Sequence, residues 1–404
     1  APLVAACGAL RSSASSPTVP GMMRGLALGL AVVGALASCR HGGPRPTARA
    51  AGGATSADAA PAQAASEIRE ARIAEIARAA EFAGTILIAR GDQIVFEQAF
   101  GTVSPQGSSP HQLGAVWRWA SVTKQITATI AMQEVAAGRL DLDAPITRYL
   151  PDSKAPYASR ITSRMLMQHV SGLPRTDEGP SGRDDWSTFY LVDLGSPETG
   201  RAWCEGPTTR EPLSEFFYGD CDFIMMAAVI EATSGKPYAA LIAERIARPL
   251  GLTSVGVFPR AEPTVAGYVE GKPESSAFRL ENFGAAGALH GTTHDLLAFD
   301  RALMTGTLLP KAERSVMWDG KPEYGFAALG QWSFSVPLED CGDTPVRIVE
   351  RRGFIGGVVL RNIILPDLDI VIIITSKRGD DEAAYGQIWQ QAGGTEKAGV
   401  EVPA

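Results

Sequence analysis

Ser121 and Lys124 stand three residues apart in the stretch Trp119-Ala-Ser-Val-Thr-Lys-Gln-Ile-Thr-Ala-Thr. Behind them Ile126, Ile130, Ala131 and Val135 recur at helical spacing, with Gln125, Thr127 and Gln133 between. On the helix this predicts, positions i and i+3 share a face, so the Lys124 amine comes up beside the Ser121 hydroxyl. A serine hydroxyl is a weak nucleophile until a base takes its proton. A buried lysine amine that has lost its own proton can be that base. The pair alone does not decide the matter: Ser121 could cap the helix and Lys124 could be solvated. Ser-x-x-Lys arises by chance roughly once in a chain of this size.

Elements that would hold the pair lie on both sides of it. Ser66–Phe82 places Ile68, Ile73, Ile76 and Ala80 among Glu and Arg, an amphipathic helix. Two β-rich runs, Thr85–Arg90 and Gln93–Phe100, meet at Gly91-Asp92 and read as a hairpin. After the Ser121 helix, Asp143 and Pro145 predict a short capped helix. Thr162–His169 predicts another, stopped by Ser171-Gly172-Leu173-Pro174. Residues 171–212 are rich in Gly, Pro and Asp and carry Trp186, Tyr190 and Trp203, the composition of a long functional or disordered loop. Helices follow over Asp222–Ser234 and Pro237–Ala247, split by Gly235, and over Thr292–Met304, which Thr292 and Asp295 open as a capping box. Arg347–Arg352, Val358–Leu365 and Leu368–Thr375 read as strands, separated by Gly353–Gly357 and by Pro366-Asp367, and a last helix covers Asp381–Gln391. Strands at both ends with helices between predict an α/β (α+β) fold. Its mostly antiparallel sheet is closed by both chain ends and flanked by helices, with a helical lobe over roughly residues 140–280 inserted between the terminal strands.

The 404 residues carry a net charge of −7 with no basic block, which argues against nucleic acid as a partner. Hydrophobic content of 45% and charged content of 20% are those of a globular chain. Met22-Met23-Arg24, then an Ala/Leu/Val/Gly run and Ser38-Cys39, has the layout of a secretory signal. Leu36-Ala37-Ser38-Cys39 resembles the lipobox of bacterial lipoproteins, in which the Cys is lipidated; an ordinary signal peptide with an incidental Cys is the alternative. On this reading residues 1–38 are a leader, translation starts at Met22 or Met23, and Cys39 is the lipidation site. Residues 39–65, rich in Ala, Gly, Pro and Thr, form a flexible linker, and 66–395 form the folded domain. The protein would then be exported to the periplasm or cell envelope and touch a membrane only through its lipid. In the folded part, Cys204, Cys221 and Cys341 lack metal-type spacing. Cys204–Cys221 is the favoured disulfide on proximity in the chain, against three buried free thiols.

Four ordered segments resemble one family, the serine β-lactamase-related proteins: class C β-lactamases, D-alanyl-D-alanine carboxypeptidases and the esterases on their scaffold. Trp119-Ala-Ser-Val-Thr-Lys-Gln-Ile-Thr-Ala is very close to the family's first motif. Leu142-Asp-Ala-Pro-Ile-Thr-Arg-Tyr-Leu-Pro-Asp is similar to the segment that usually follows. Leu166-Met-Gln-His-Val-Ser-Gly-Leu-Pro looks like its His-x-Ser-Gly-Leu-Pro loop. Ala286-Gly-Ala-Leu-His-Gly-Thr-Thr-His-Asp-Leu resembles its Gly-Gly-Leu-x-Ser-Thr-x-x-Asp-Leu stretch. The resemblance runs from about Ala83 to Trp389.

The resemblance implies a β-lactamase/transpeptidase-like fold, with Ser121 as nucleophile and Lys124 as base. In Phe216-Phe217-Tyr218-Gly219-Asp220, Tyr218 falls where the family's Tyr-x-Asn motif has a phenol that relays protons. Asp220 departs from the Asn: ionised, it offers only acceptors. It could pair with Lys124 and hold it protonated, or select a substrate bearing a donor or a cation. Arg351-Arg352-Gly353 stands where the family has Lys/His-x-Gly. A guanidinium at Arg351 suits a substrate carboxylate but cannot act as acid or base. Asp220 and Arg351 could compensate each other's charge. The family's oxyanion hole would come from the backbone N–H groups of Ser121 and Phe354, and Gly353 fits a strand that a substrate must approach closely. His169 reads as a packing residue. His290 and His294 are not spaced with carboxylates as metal ligands, so no metal and no cofactor is expected. The Glu that serves class A β-lactamases has no assigned counterpart.

These residues predict an acyl-enzyme serine hydrolase for a small-molecule or peptide substrate: a β-lactam, a D-amino-acid peptide or a small ester. Fold alone does not choose among the three. The altered Asp220 and Arg351 count against efficient β-lactamase activity. The rival is a pseudoenzyme that binds peptidoglycan fragments or a protein partner without turnover.

Overall fold

The computed structural model describes residues 70–377 apart from 72, 181, 183–186, 262–263, 270–271, 274–277 and 338–343. The leader, Cys39, the linker, Cys341 and the helix expected at Asp381–Gln391 lie outside the described residues. The N-terminal helix is seen over residues 73–79 (α1).

The strands are β1 (Gly84–Arg90), β2 (Gln93–Phe100), β3 (Trp117–Arg118), β4 (Gly256–Val257), β5 (Tyr268–Val269) and β6 (Lys272–Pro273). They continue with β7 (Leu289–Gly291), β8 (Trp332–Pro337), β9 (Pro345–Ile355), β10 (Val358–Leu365) and β11 (Ile370–Ser376). The large sheet runs β2-β1-β11-β10-β9-β8, with every neighbouring pair antiparallel. The chain ends close it as expected: β1 lies on β11 from Gly84↔Ser376 to Arg90↔Ile370. β10 and β11 are buried along their whole length, so both faces of the sheet are covered. Side-chain alternation divides the core: Ile86, Ile88, Ile372 and Ile374 pack under Ile73 and Ala77 of α1, whereas Leu87, Val371 and Ile373 face the helical lobe. Each such Ile or Leu contributes about 2 kcal/mol by leaving water.

The helix behind the Ser-Lys pair is Thr123–Ala136 (α2), and it runs through the lobe's centre rather than along a surface. Gln125, Thr127, Thr129 and Glu134 are all buried. Thr127 Oγ1 donates to Ala285 O at 2.7 Å, Thr129 Oγ1 donates to Gln125 O at 2.9 Å, and Glu134 takes Arg139 at 2.7 Å and also Arg245. Against α2 packs Cys221–Ser234 (α3), closed by Gly235 in the left-handed conformation at φ 69°. The helix Thr293–Thr305 (α4) has the expected capping box from Thr292 and Asp295.

Several expectations differ. Asp143 and Pro145 open only a 3-10 turn, Ile146–Arg148, and Asp143 caps nothing because Arg164 takes its carboxylate at 2.7 Å. The 171–212 segment carries two short helices, Thr188–Leu191 and Pro197–Cys204. The helix at Pro237–Ala247 runs on to Leu250 through a π-turn over Ala243–Ala247. Gly353 does not end a strand: β9 continues to Ile355 and turns only at Gly356-Gly357. β8 had no sequence signal strong enough to name it. Among the described residues no helix is long and apolar enough to cross a membrane.

Candidate active site

Ser121 sits in a 3-10 turn, Ala120–Val122, that leads into α2. Ala120 is held at φ 45°, a left-handed conformation that costs a non-glycine residue on the order of 1–2 kcal/mol. The small sheet β3-β7-β4 fixes this turn from below. β3 pairs with β7 through Trp117↔Gly291, Trp119 N–H donates to Leu289 O at 2.9 Å, and the Trp119 indole donates to Gly291 O at 3.2 Å. The family-like Ala286–Leu296 stretch is thus the support on which the Ser121 turn rests.

Lys124 is fully buried one turn on. Its Nζ donates to Ser121 Oγ at 3.1 Å, to Asp220 Oδ1 at 2.7 Å and to Ala286 O at 2.8 Å. Three acceptors meet the three N–H donors of an ammonium. Asp220 precedes α3 at the capping position yet makes no side-chain cap; its carboxylate turns to Lys124 instead. Its other oxygen meets the Thr176 hydroxyl at 3.4 Å.

Tyr218 Oη is hydrogen-bonded to Ser121 Oγ at 2.8 Å. Two cations lie over its ring, Lys124 Nζ at 5.0 Å and the Arg351 guanidinium at 5.1 Å from the centroid. The Cys204–Cys221 disulfide pins the start of α3 one residue beyond Asp220, which is the pairing the sequence favoured.

Arg351 lies on β9 with 1% of its surface exposed. Its Nε donates to the Ser121 carbonyl at 2.8 Å and its Nη2 donates to Tyr218 Oη. Burial pushes its guanidinium below the usual range, against the opposing pull of Tyr218 and Asp220. Trp332 of β8 stacks along Tyr218 at 6.2 Å and lies under Arg351 at 4.8 Å. Arg351 and Asp220 therefore meet through Tyr218 and Lys124 rather than with each other.

β8 pairs with β9 only as far as Glu350, so residues 351–355 keep one edge open toward the Ser121 turn. Here glycine is obligatory: a Cβ on Gly353 would overlap the Trp119 carbonyl oxygen. This close approach brings Phe354 to the rim of the same cavity as Ser121.

The groups face a cavity of about 310 Å³ lined by Ser121, Tyr218, Asp220, Arg351 and Phe354. Thr176, Tyr190, Phe283 and Trp332 also line it and were not singled out as site residues. Tyr190 stacks on Phe283 at 5.0 Å and meets the Thr176 hydroxyl at 2.6 Å. Burial, with Asp220 nearby, drives the Tyr190 phenol above its ordinary range and keeps it a neutral donor. The aromatic content of the 171–212 loop was the available signal for Tyr190; isolated positions such as Phe283 and Trp332 carried none. Of the histidines, His169 is buried beneath Tyr218, and neither His290, held by Ser254 O at 2.8 Å, nor His294, beside Glu97, faces the cavity.

An antiparallel sheet closed by both chain ends, with a Ser-x-x-Lys helix at its edge, defines a class, and the comparisons agree with it. A family model described as Beta-lactamase matches residues 70–393, and the chain belongs to this family of serine hydrolases. The esterase EstB of Burkholderia gladioli is 32% identical over 204 residues, covering 48% of this chain and 52% of the relative. The D-alanyl-D-alanine-carboxypeptidase/endopeptidase AmpH of Escherichia coli (strain K12) is 30% identical over 180 residues, covering 43% and 45%. The chain spans about half the length of the curated relatives it matches. Among solved structures, the D-amino acid amidase of Ochrobactrum anthropi SV3 complexed with L-phenylalanine superposes with a TM-score of 0.65 at 22% identity, over 76% of this chain and 91% of that one. The octameric penicillin-binding protein homologue of Pyrococcus abyssi gives 0.65 at 20% identity, over 80% and 76%. At these identities the structural likeness shows the fold alone.

Proposed function

We propose that this chain hydrolyses small esters and amides through an acyl-enzyme on Ser121, with Tyr218 as the group that moves the proton and Lys124 as a fixed cation. The observation that carries this is the hydrogen bonding of Lys124: Ser121 Oγ, Asp220 Oδ1 and Ala286 O engage all its donors. Lys124 is thus paired with the Asp220 carboxylate rather than directed at Ser121 alone. Tyr218 Oη, 2.8 Å from Ser121 Oγ and bonded to Arg351 Nη2, is in its ionised form placed to take the serine proton. Ser121 Oγ attacks the carbonyl as its proton passes to Tyr218 Oη. The oxyanion is held by the Ser121 and Phe354 N–H groups. Collapse expels the alcohol or amine, which takes the proton from Tyr218, and a water repeats the sequence in reverse to release the acid.

Substrates without a carboxylate beside the scissile bond fit best, because Arg351 already spends Nε and Nη2 on Ser121 and Tyr218. Of the sequence relatives named above, the esterase supports the ester branch and the carboxypeptidase/endopeptidase supports an amide of a D-amino acid. Export, with a lipid on Cys39, is part of the same reading and is supported by the disulfide, which belongs to oxidising compartments. The test is a fluorophosphonate probe and a fluorescent penicillin on wild type and Ser121→Ala. Phosphonate labelling lost in Ser121→Ala, with little penicillin labelling, is expected. A folded wild type that takes neither probe fails the hydrolase reading and leaves the pseudoenzyme. N-terminal mass without an acyl chain on Cys39 fails the anchor.

A further inference from the structure

Beneath Tyr218 lies a polar cluster that the chemistry above does not use: His169, Ser171 and Asp222, each no more than 3% exposed. Two of them come from the Leu166–Pro174 motif and the third from the first turn of α3. His169 Nδ1 lies 2.8 Å from Asp222 Oδ2, and the Ser171 hydroxyl donates to Asp222 Oδ1. The His169 ring sits under the Tyr218 ring at 4.4 Å between centroids, tilted by 52°. Phe216 and Phe223 enclose its other sides at 6.0 and 5.5 Å.

The backbone on both flanks of Tyr218 also hangs from this residue. Phe217 N–H donates to the His169 carbonyl at 2.8 Å, and Gly219 N–H donates to His169 Nδ1 at 3.5 Å. His169 itself is held at φ 59°, a conformation few side chains adopt. The geometry points to His169 as a positioning residue that sets the height and tilt of Tyr218 over Ser121, with Asp222 and Ser171 fixing the imidazole in turn. Burial, then Arg351 and Lys124, hold the imidazole well below its usual range, and burial raises the Asp222 carboxyl well above its own. The role rests on Tyr218 being the proton carrier. Misplacement of such a group by about 1 Å costs up to about a hundredfold in rate.

His169→Gly and His169→Asn both tolerate the left-handed backbone, but only Asn returns a polar atom near the Nδ1 position. The readouts are the rate of Ser121 labelling by a fluorophosphonate, kcat and KM on a p-nitrophenyl ester, and Tm, each repeated in a Tyr218→Phe background. The expected result is a loss of about tenfold or more in labelling rate and kcat for His169→Gly, with KM within about threefold. His169→Asn should regain part of it, and neither change should matter further once Tyr218 is Phe. Equal losses in the Tyr218→Phe background, or no advantage of Asn over Gly, would overturn the positioning role. If His169→Gly does not fold, Ser171→Ala, which cuts the cluster at its far end, takes its place in the same cycle: a kcat loss that vanishes in the Tyr218→Phe background supports the role, and an equal loss there overturns it. Tyr218→Phe labelling at the wild-type rate overturns the proton-carrier reading, and the positioning role with it, whatever the His169 variants do.

Discussion

Asp220 Oδ1 lies 2.7 Å from Lys124 Nζ, and this ion pair replaces the helix cap that Asp220 could have made. Lys124 has no solvent-exposed surface, so the carboxylate is what makes its charge tolerable there. The departure from the family's Asn thus acts on the lysine, whose amine also meets Ser121 Oγ.

Asp220→Ala should cost about 3 kcal/mol of folding stability by stranding a buried ammonium, read by denaturant unfolding. Asp220→Asn keeps a hydrogen-bond acceptor for Lys124 and should lose less than half of that. A stability unchanged in Asp220→Ala would mean that the pair is not formed in solution.

Arg351 spans Ser121 O and Tyr218 Oη with two nitrogens of one rigid fork. Lysine has the charge but not the fork, so Arg351→Lys should lower kcat by about tenfold with little change in KM. In a cycle with Asp220→Asn the two losses should fall short of additive, because both act on charge around Tyr218. Strict additivity in kcat would separate the two departures.

Glu350 offers a pH test. Burial pushes its carboxyl up, but Arg352 and Arg361 override it and bring it down from 4.5 to about 2. A lowered folded-state pKa gives stability that is present above the unfolded value and lost as pH falls through the folded one. Wild type should therefore lose about 3 kcal/mol relative to Glu350→Gln between about pH 4.5 and 2. Parallel stability curves for the two proteins across that window would contradict it.

The Cys204–Cys221 bridge closes a loop of sequence separation 17 and ties Pro197–Cys204 to the start of α3. The double Ala variant should lose about 3 kcal/mol by unfolding free energy. It should also loosen Asp220, so that phosphonate labelling falls more than in a surface variant of equal stability. Labelling that simply follows stability would confine the bridge to a folding role.

The Ser121 helix, the hairpin and the terminal strands were legible because each has a local signal: motif, alternation or capping residue. What stayed hidden is non-local. The apolar spacing of α2 suggested one buried stripe, yet Thr127, Thr129 and Glu134 are also inside, satisfied by groups from residues as remote as Ala285 and Arg245. The contacts of Arg351 stayed hidden because no sequence pattern shows that Ser121 O and Tyr218 Oη stand within its reach. Trp332 and Phe283 enter the cavity through strand pairing and stacking that only the folded chain creates.

β1 finds its hydrogen-bonding partner β11 nearly the whole domain later, with Gly84 opposite Ser376. Contact order this high means that the central strands cannot pair until the last one has been synthesised. Ala120 is strained and Gly353 of β9 must abut Trp119, so the Ser121 turn acquires its final shape only when that closure occurs. A nascent or truncated chain ending before Ile370 would lack β11 and with it the open β9 edge in its working position. On the proposed chemistry, reactivity at Ser121 would then wait for β11, and a product terminated before it would be inert rather than indiscriminately hydrolytic.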